Sequence, residues 1–116
     1  MRHRRVGRKL KREKGPRAAL LRSLMRSIVI KNAIVTTQTK AKAVRPVLER
    51  LVTRAKHGAL ADYRLVAATI GKDAALRLKK DIVPKLSNRH GGYVRIIKYG
   101  VRRSDSAHMA RIGFVD

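Results

Sequence analysis

The chain has 116 residues, no cysteine, and 30 Lys and Arg against 7 Asp and Glu, which gives a formal net charge of +23 and a pI near 11.8. That length allows one domain with a modest core, and the missing thiols exclude disulfides and cysteine-ligated zinc. So positive a field needs a polyanion, and phosphate is the anion that Arg forks and Lys ammonium groups suit best.

The first 17 residues, MRHRRVGRKLKREKGPR, carry nine Arg or Lys and one acid, Glu13, with little apolar surface to bury. Such a segment reads as a basic arm, residues 1–15, that becomes ordered against phosphate. Residues 16–116 then form a single α+β domain. From Pro16, which suits a first turn, Leu20, Leu21, Leu24, Met25, Ile28 and Val29 recur at helical spacing while Arg22, Arg26 and Ser27 face away. Asn32 suits the helix end, and the β-branched run Ile34 to Thr37 reads as a strand. Thr39 is the expected N-cap of a second helix whose apolar stripe, Val44, Val47, Leu48, Leu51, Val52 and Ala55, ends at Gly58. Pro46 inside that stripe predicts a kink near Lys42 to Arg45 or a later helix start, because a mid-helix proline costs roughly 3 kcal/mol.

Two shorter helices follow in the reading. One runs from about Leu60 to Ile70 and closes at Gly71; the other runs from Asp73 as N-cap to Val83 and stops at Pro84. Tyr93 to Tyr99 and Met109 to Val115 are β-branched and aromatic, and the basic loop Gly100 to His108 joins them as a hairpin. The order is helix, strand, three helices and two strands, a two-layer α+β fold with the helices on one face of a small sheet.

Chemistry at a catalytic site finds little support. The four histidines, His3, His57, His90 and His108, are not spaced with carboxylates as metal ligands would be, and no glycine-rich nucleotide loop is present. Asp62, Asp73 and Asp81 read as caps or surface pairs. No catalytic residue, metal, cofactor or small-molecule substrate is expected. No apolar run nears the roughly 20 residues of a spanning helix, and no apolar segment follows the basic start, so membrane insertion and secretion are not expected and the cytoplasm is.

RNA contacts are expected from Arg2, His3, Arg4, Arg5, Arg8, Lys9, Lys11, Arg12, Arg17 and Arg22, and from Lys40 and Lys42 at the start of the second helix, where amides can also meet phosphate. Arg89, Gly91, Gly92 and Tyr93 form a second group, with Arg95 one strand step beyond on the face of Tyr93. Tyr93 either stacks on an unpaired base or is a core residue; spacing alone leaves both open. Arg102 and Arg103 at the hairpin tip form a third. With four aromatic residues in all, recognition by shape and phosphate is expected over base stacking. Charge alone would also permit a free architectural binder that coats DNA, the second reading.

Three strings narrow this. MRHRRVGRKLKR, Ile34-Val-Thr-Thr-Gln-Thr-Lys-Ala-Lys and Arg89-His-Gly-Gly-Tyr-Val-Arg, in this order and end to end along the chain, resemble the bacterial large-subunit ribosomal protein seventeen family. The resemblance implies the same element order and a structural role: bracing large-subunit rRNA on the solvent side near the nascent-peptide tunnel exit, beside large-subunit proteins thirty-two and twenty-two. The chain departs from the family at Lys14, Gly15 and Pro16, where Ser, Ser and His are common, at Ala43 in place of Glu, at Val94 in place of Thr, and in the loop 103–108.

Overall fold

The computed structural model describes residues 13–115. Helix α1 spans Lys14–Lys31 and has Pro16 in its first turn, where its missing N–H is one of those no helix can satisfy internally. The helix therefore begins two residues ahead of Pro16, inside the segment assigned to the arm. Its core face is Met25, Ile28 and Val29, with Leu21 and Leu24 packed alongside. Asn32 turns the chain out at φ 69°, a conformation open to Asn more than to most residues. Strand β1 follows directly, Ala33–Thr37.

Helix α2, Gln38–His57, starts earlier than expected. Its N-cap is Thr37, not Thr39. Thr37 is still extended as the last residue of β1, so its Oγ1 is free to accept the Lys40 N–H at 3.4 Å. The helix also runs unbroken through Pro46, against the expectation of a later start. Proline removes the hydrogen bond to the Lys42 carbonyl, and both residues lie on the exposed side, where water can take that bond. Ala41, Val44, Leu48, Leu51 and Val52 form the buried stripe, in which each valine or leucine contributes about 1.5–3 kcal/mol of burial. Gly58 closes the helix in the left-handed conformation.

Helix α3, Leu60–Ile70, ends at Gly71 as the sequence indicates. The next helix does not follow the expectation. Helix α4, Lys72–Arg77, is capped by Gly71 and carries Asp73 at its second position, where it serves no N-cap. The chain then widens into a π turn, Leu78–Ile82, in which the Val83 N–H reaches the Leu78 carbonyl, and tightens into a 3₁₀ turn, Val83–Leu86. Pro84 falls near the start of that 3₁₀ turn, where its missing donor is tolerated, so it does not stop the helical path.

Strands β2, Val94–Val101, and β3, His108–Phe114, form the hairpin. The sheet order is β1-β3-β2, all antiparallel, so β3 is central. Ile112 pairs with Ile34 and Ile96 on the face toward the helices. Arg111 pairs with Val35 and Ile97 on the other face, which the described residues leave uncovered: Val35, Ile97, Arg95 and Arg111 are all exposed there. Gly113 lies opposite Ala33, where a Cβ would come within 2.7 Å of the Ala33 Cβ and 2.9 Å of the Asn32 oxygen. The glycine lets the two strands close up at the start of β1. The core lies between the sheet and the helices and is wholly apolar apart from the phenol of Tyr93.

Candidate nucleic-acid interface

Strand register sorts the candidate residues into two groups. Thr37 lies opposite Met109, and Val101 opposite His108, so the α2 N-terminus with Lys40 and Lys42 sits at the same end of the sheet as the hairpin tip with Arg102 and Arg103. The segment Arg89 to Tyr93 enters the sheet at the opposite end, where Val94 pairs with Phe114 and Ala33 with Gly113. Arg17 and Arg22 lie on α1, half-buried and exposed respectively. Arg2, His3, Arg4, Arg5, Arg8, Lys9, Lys11 and Arg12 lie outside the described residues.

The entry loop is fixed by helix α2. The Glu49 carboxylate accepts the N–H of Tyr93 at 3.1 Å through Oε2 and of Val94 at 3.0 Å through Oε1. Lys56, two turns on, donates its ammonium group to the Arg89 carbonyl and, at 3.3 Å, to the Tyr93 hydroxyl, and lies 4.9 Å from the centre of the Tyr93 ring. Tyr93 is 2% exposed. That overturns the stacking role considered for it: its ring belongs to the core beneath Lys56 and offers no face to a base. Arg95 does not share its face. Tyr93 precedes the strand and turns inward, whereas Arg95 projects from the open side of the sheet.

What the loop presents outward is Arg89, His90, Gly91 and Gly92, all exposed. No atom lies within 4 Å of a Cβ built on either glycine, and Gly92 has φ +62°, which an L side chain rarely adopts. The loop is thus a rigid, open piece of backbone flanked by cations. Sequence reasoning missed Glu49 and Lys56 as its supports. The available signal was a lone acid within a cationic helix, Glu49 between Arg45 and Arg50.

At the tip, Arg102 is committed internally. Its guanidinium meets the Asp105 carboxylate at 2.9 and 2.6 Å, and hydrogen bonds from Arg102 and then the Ala107 amide hold Asp105 down at about 2. Arg103 is exposed. Elsewhere Arg26 grips Asp73 through two bonds of 2.7 and 2.6 Å and also donates to the Ile70 carbonyl, which lowers Asp73 to about 2. Asp62 faces Arg54 and His57, and Asp81 faces Arg77, each at 3.7 Å.

These contacts occupy five of the six described acids, Glu13 excepted. Among the described residues, Arg26, Arg54, Arg77 and Arg102 are the arginines that meet a carboxylate, and Glu49 is occupied by backbone amides. The other described lysines and arginines have no acidic partner within the described fold, and apart from Lys56, which is spent on the entry loop, most of them are exposed. No helix among the described residues is long and apolar enough to cross a membrane.

Residues 20–115 match the family model of ribosomal protein L17. The chain is 44% identical over 116 residues to the large ribosomal subunit protein bL17 of Gemmatimonas aurantiaca, covering 99% of this chain and 98% of that protein. It is 47% identical over 116 residues to bL17 of Campylobacter lari, covering 99% of each. The bL17 of Sphingopyxis alaskensis is 44% identical over 117 residues, with all of this chain and 84% of that protein covered.

Proposed function

The chain belongs to the ribosomal protein L17 family, and on that premise we propose that it braces large-subunit rRNA on the solvent side of the particle, near the exit of the nascent-peptide tunnel. It is a structural constituent of the large ribosomal subunit, not an enzyme, and works in the cytoplasm within a particle of rRNA and other ribosomal proteins. The observation that carries the bracing role is the charge balance. The net charge is +23, and most of the few described acids are already held by arginines or by backbone amides, so neutralisation must come from outside, and rRNA phosphate supplies it.

Two groups of contacts follow from the sheet. Arg89, Gly91 and Gly92 at one end bring backbone and cation close to a phosphate or sugar. Lys40, Lys42 and Arg103 serve at the other end, with Arg17, Arg22 and Arg95 on the flanking surfaces. Residues 1–15 act as an arm, in which Arg2, His3, Arg4, Arg5, Arg8, Lys9, Lys11 and Arg12 engage RNA, while residues 16–116 are the folded domain. The place near the tunnel exit, beside large-subunit proteins thirty-two and twenty-two, is supported by the family resemblance.

Photo-crosslinking tests the assignment. A photoreactive residue at His90 or Arg103, in assembled large subunits, should crosslink to rRNA and to proteins at the tunnel exit. Crosslinks confined to the subunit-joining face would overturn the location. Deleting residues 2–12 should leave the helical circular-dichroism signal intact while greatly weakening retention on rRNA; an undiminished affinity would remove the arm from the interface.

A further inference from the structure

Beyond the two loop clusters, a groove of about 620 Å³ opens where the π and 3₁₀ turns face the start of β1 and the end of β3. Its volume lies in the range of about 300–1,000 Å³ usual for small-ligand clefts. Lys80, Lys85, Arg111 and Phe114 line it together with Arg77 and one acid, Asp81. Lys80, Lys85 and Arg111 are exposed and have no acidic partner among the described residues. Arg77 is already held, its Nε donating to the Val29 carbonyl at 2.9 Å and its Nη1 facing Asp81 at 3.7 Å. Arg77 thus braces the wall and offsets the charge of Asp81.

Lys80 and Lys85 share this groove because the helix changes type between them. Five residues apart in a straight α-helix, they would diverge by about 140° around the axis. The passage from α to π to 3₁₀ brings both to one cleft, and π turns recur at functional sites. Phe114, the chain's one phenylalanine, is half-buried against the core and lines the same cleft.

We propose that this groove seats a single nucleotide turned out of an RNA helix, its phosphate held by Lys80, Lys85 and Arg111 and its ribose or base edge laid against Phe114. The proposal rests on the RNA-binding reading above. Cations clustered around one aromatic wall match the anionic and π-faced halves of a nucleotide, and a single seat accords with a chain so poor in aromatic residues.

Filter retention of deproteinised large-subunit rRNA by the full chain, across a salt series, tests it. The Lys80→Ala/Lys85→Ala variant should reduce the salt slope by about one, the value for one phosphate contact. Phe114→Leu should weaken affinity about tenfold at every salt concentration without changing the slope. Ultraviolet irradiation of the wild-type complex should leave a nucleotide adduct on the peptide that begins at Ile112. The lysines are exposed, so their replacement leaves the fold intact and keeps the test decisive even where Phe114→Leu loosens the sheet. Wild-type retention with an unchanged slope in the lysine variant and no adduct on that peptide would overturn the groove and leave RNA binding standing. Failure of the wild type to retain rRNA would overturn both.

Discussion

The two ends of the sheet are held in opposite ways. At one end, the entry loop Arg89 to Val94 takes its shape from residues more than thirty positions earlier, through Glu49 and Lys56. At the other end, the hairpin tip is tied to itself: Arg102 and Ala107 pair through backbone, Ser106 bonds back to Arg102, and Asp105 links to both Arg102 and Ala107. The entry loop therefore keeps its form only while helix and sheet stay packed. The tip can keep its form as a local unit. A surface that must meet RNA in a fixed register is better built the first way, because its geometry is enforced by the core.

The sharpest way to break that comparison is to remove Tyr93. Tyr93→Ala deletes a buried aromatic at the junction of loop, α2 and core, and should destabilise the free domain by roughly 3–5 kcal/mol, read as a fall in the denaturant midpoint. Weakened RNA binding with unchanged stability would return the ring to the surface and undo the account of the loop. A narrower cut is Glu49→Ala. It leaves the amides of two nearly fully buried residues, Tyr93 and Val94, without their acceptor, for an expected loss of about 1–3 kcal/mol. Amide resonances of residues 89–94 should move in NMR spectra while those of 102–107 stay in place; equal movement at both ends would mean that the ends are not held independently.

The smallest effect belongs to the tip. Asp105 sits near 2, below its usual 3.8, because Arg102 stabilises its charged form. A lowered carboxylate adds stability that is present above its unfolded value near pH 4 and is lost as pH falls through 2. The carboxyl resonance of Asp105 should titrate near pH 2 with the tip amides following it, and Asp105→Ala should lower the melting temperature at neutral pH only slightly, because the exposed pair is screened by solvent. A clear drop in that melting temperature would show that the tip supports the fold after all.

Most of the architecture was legible in the sequence because its signals are local and strong. The apolar stripe from Val44 to Ala55 marks α2, Gly58 and Gly71 mark helix ends, and the β-branched runs mark the strands. What escaped depends on partners far away in sequence. Thr39 and Thr37 are both good caps, and only the point at which β1 releases the chain decides between them. Asp73 looks like a cap until Arg26 is placed opposite it. The site divides likewise. The exposed loop glycines and basic clusters were visible from composition, whereas the burial of Tyr93, the clamp by Glu49 and the cleft containing Lys80 and Lys85 follow from packing and from a helix that changes its pitch, for which a period of 3.6 gives no warning.

The central position of β3 bears on how the chain emerges from the machine that makes it. Synthesis delivers β1 and β2 before β3, yet neither of them pairs with the other; each pairs only with β3. The helices can nucleate early from neighbouring contacts, but the sheet must wait until residues 108–114 are released and then closes on both sides together. During that wait two strand edges lie bare. Lys31, Lys40, Arg95 and Lys98, in or beside those strands, make one nascent copy repel another, so the charge that later grips RNA also discourages edge-to-edge pairing between newborn chains.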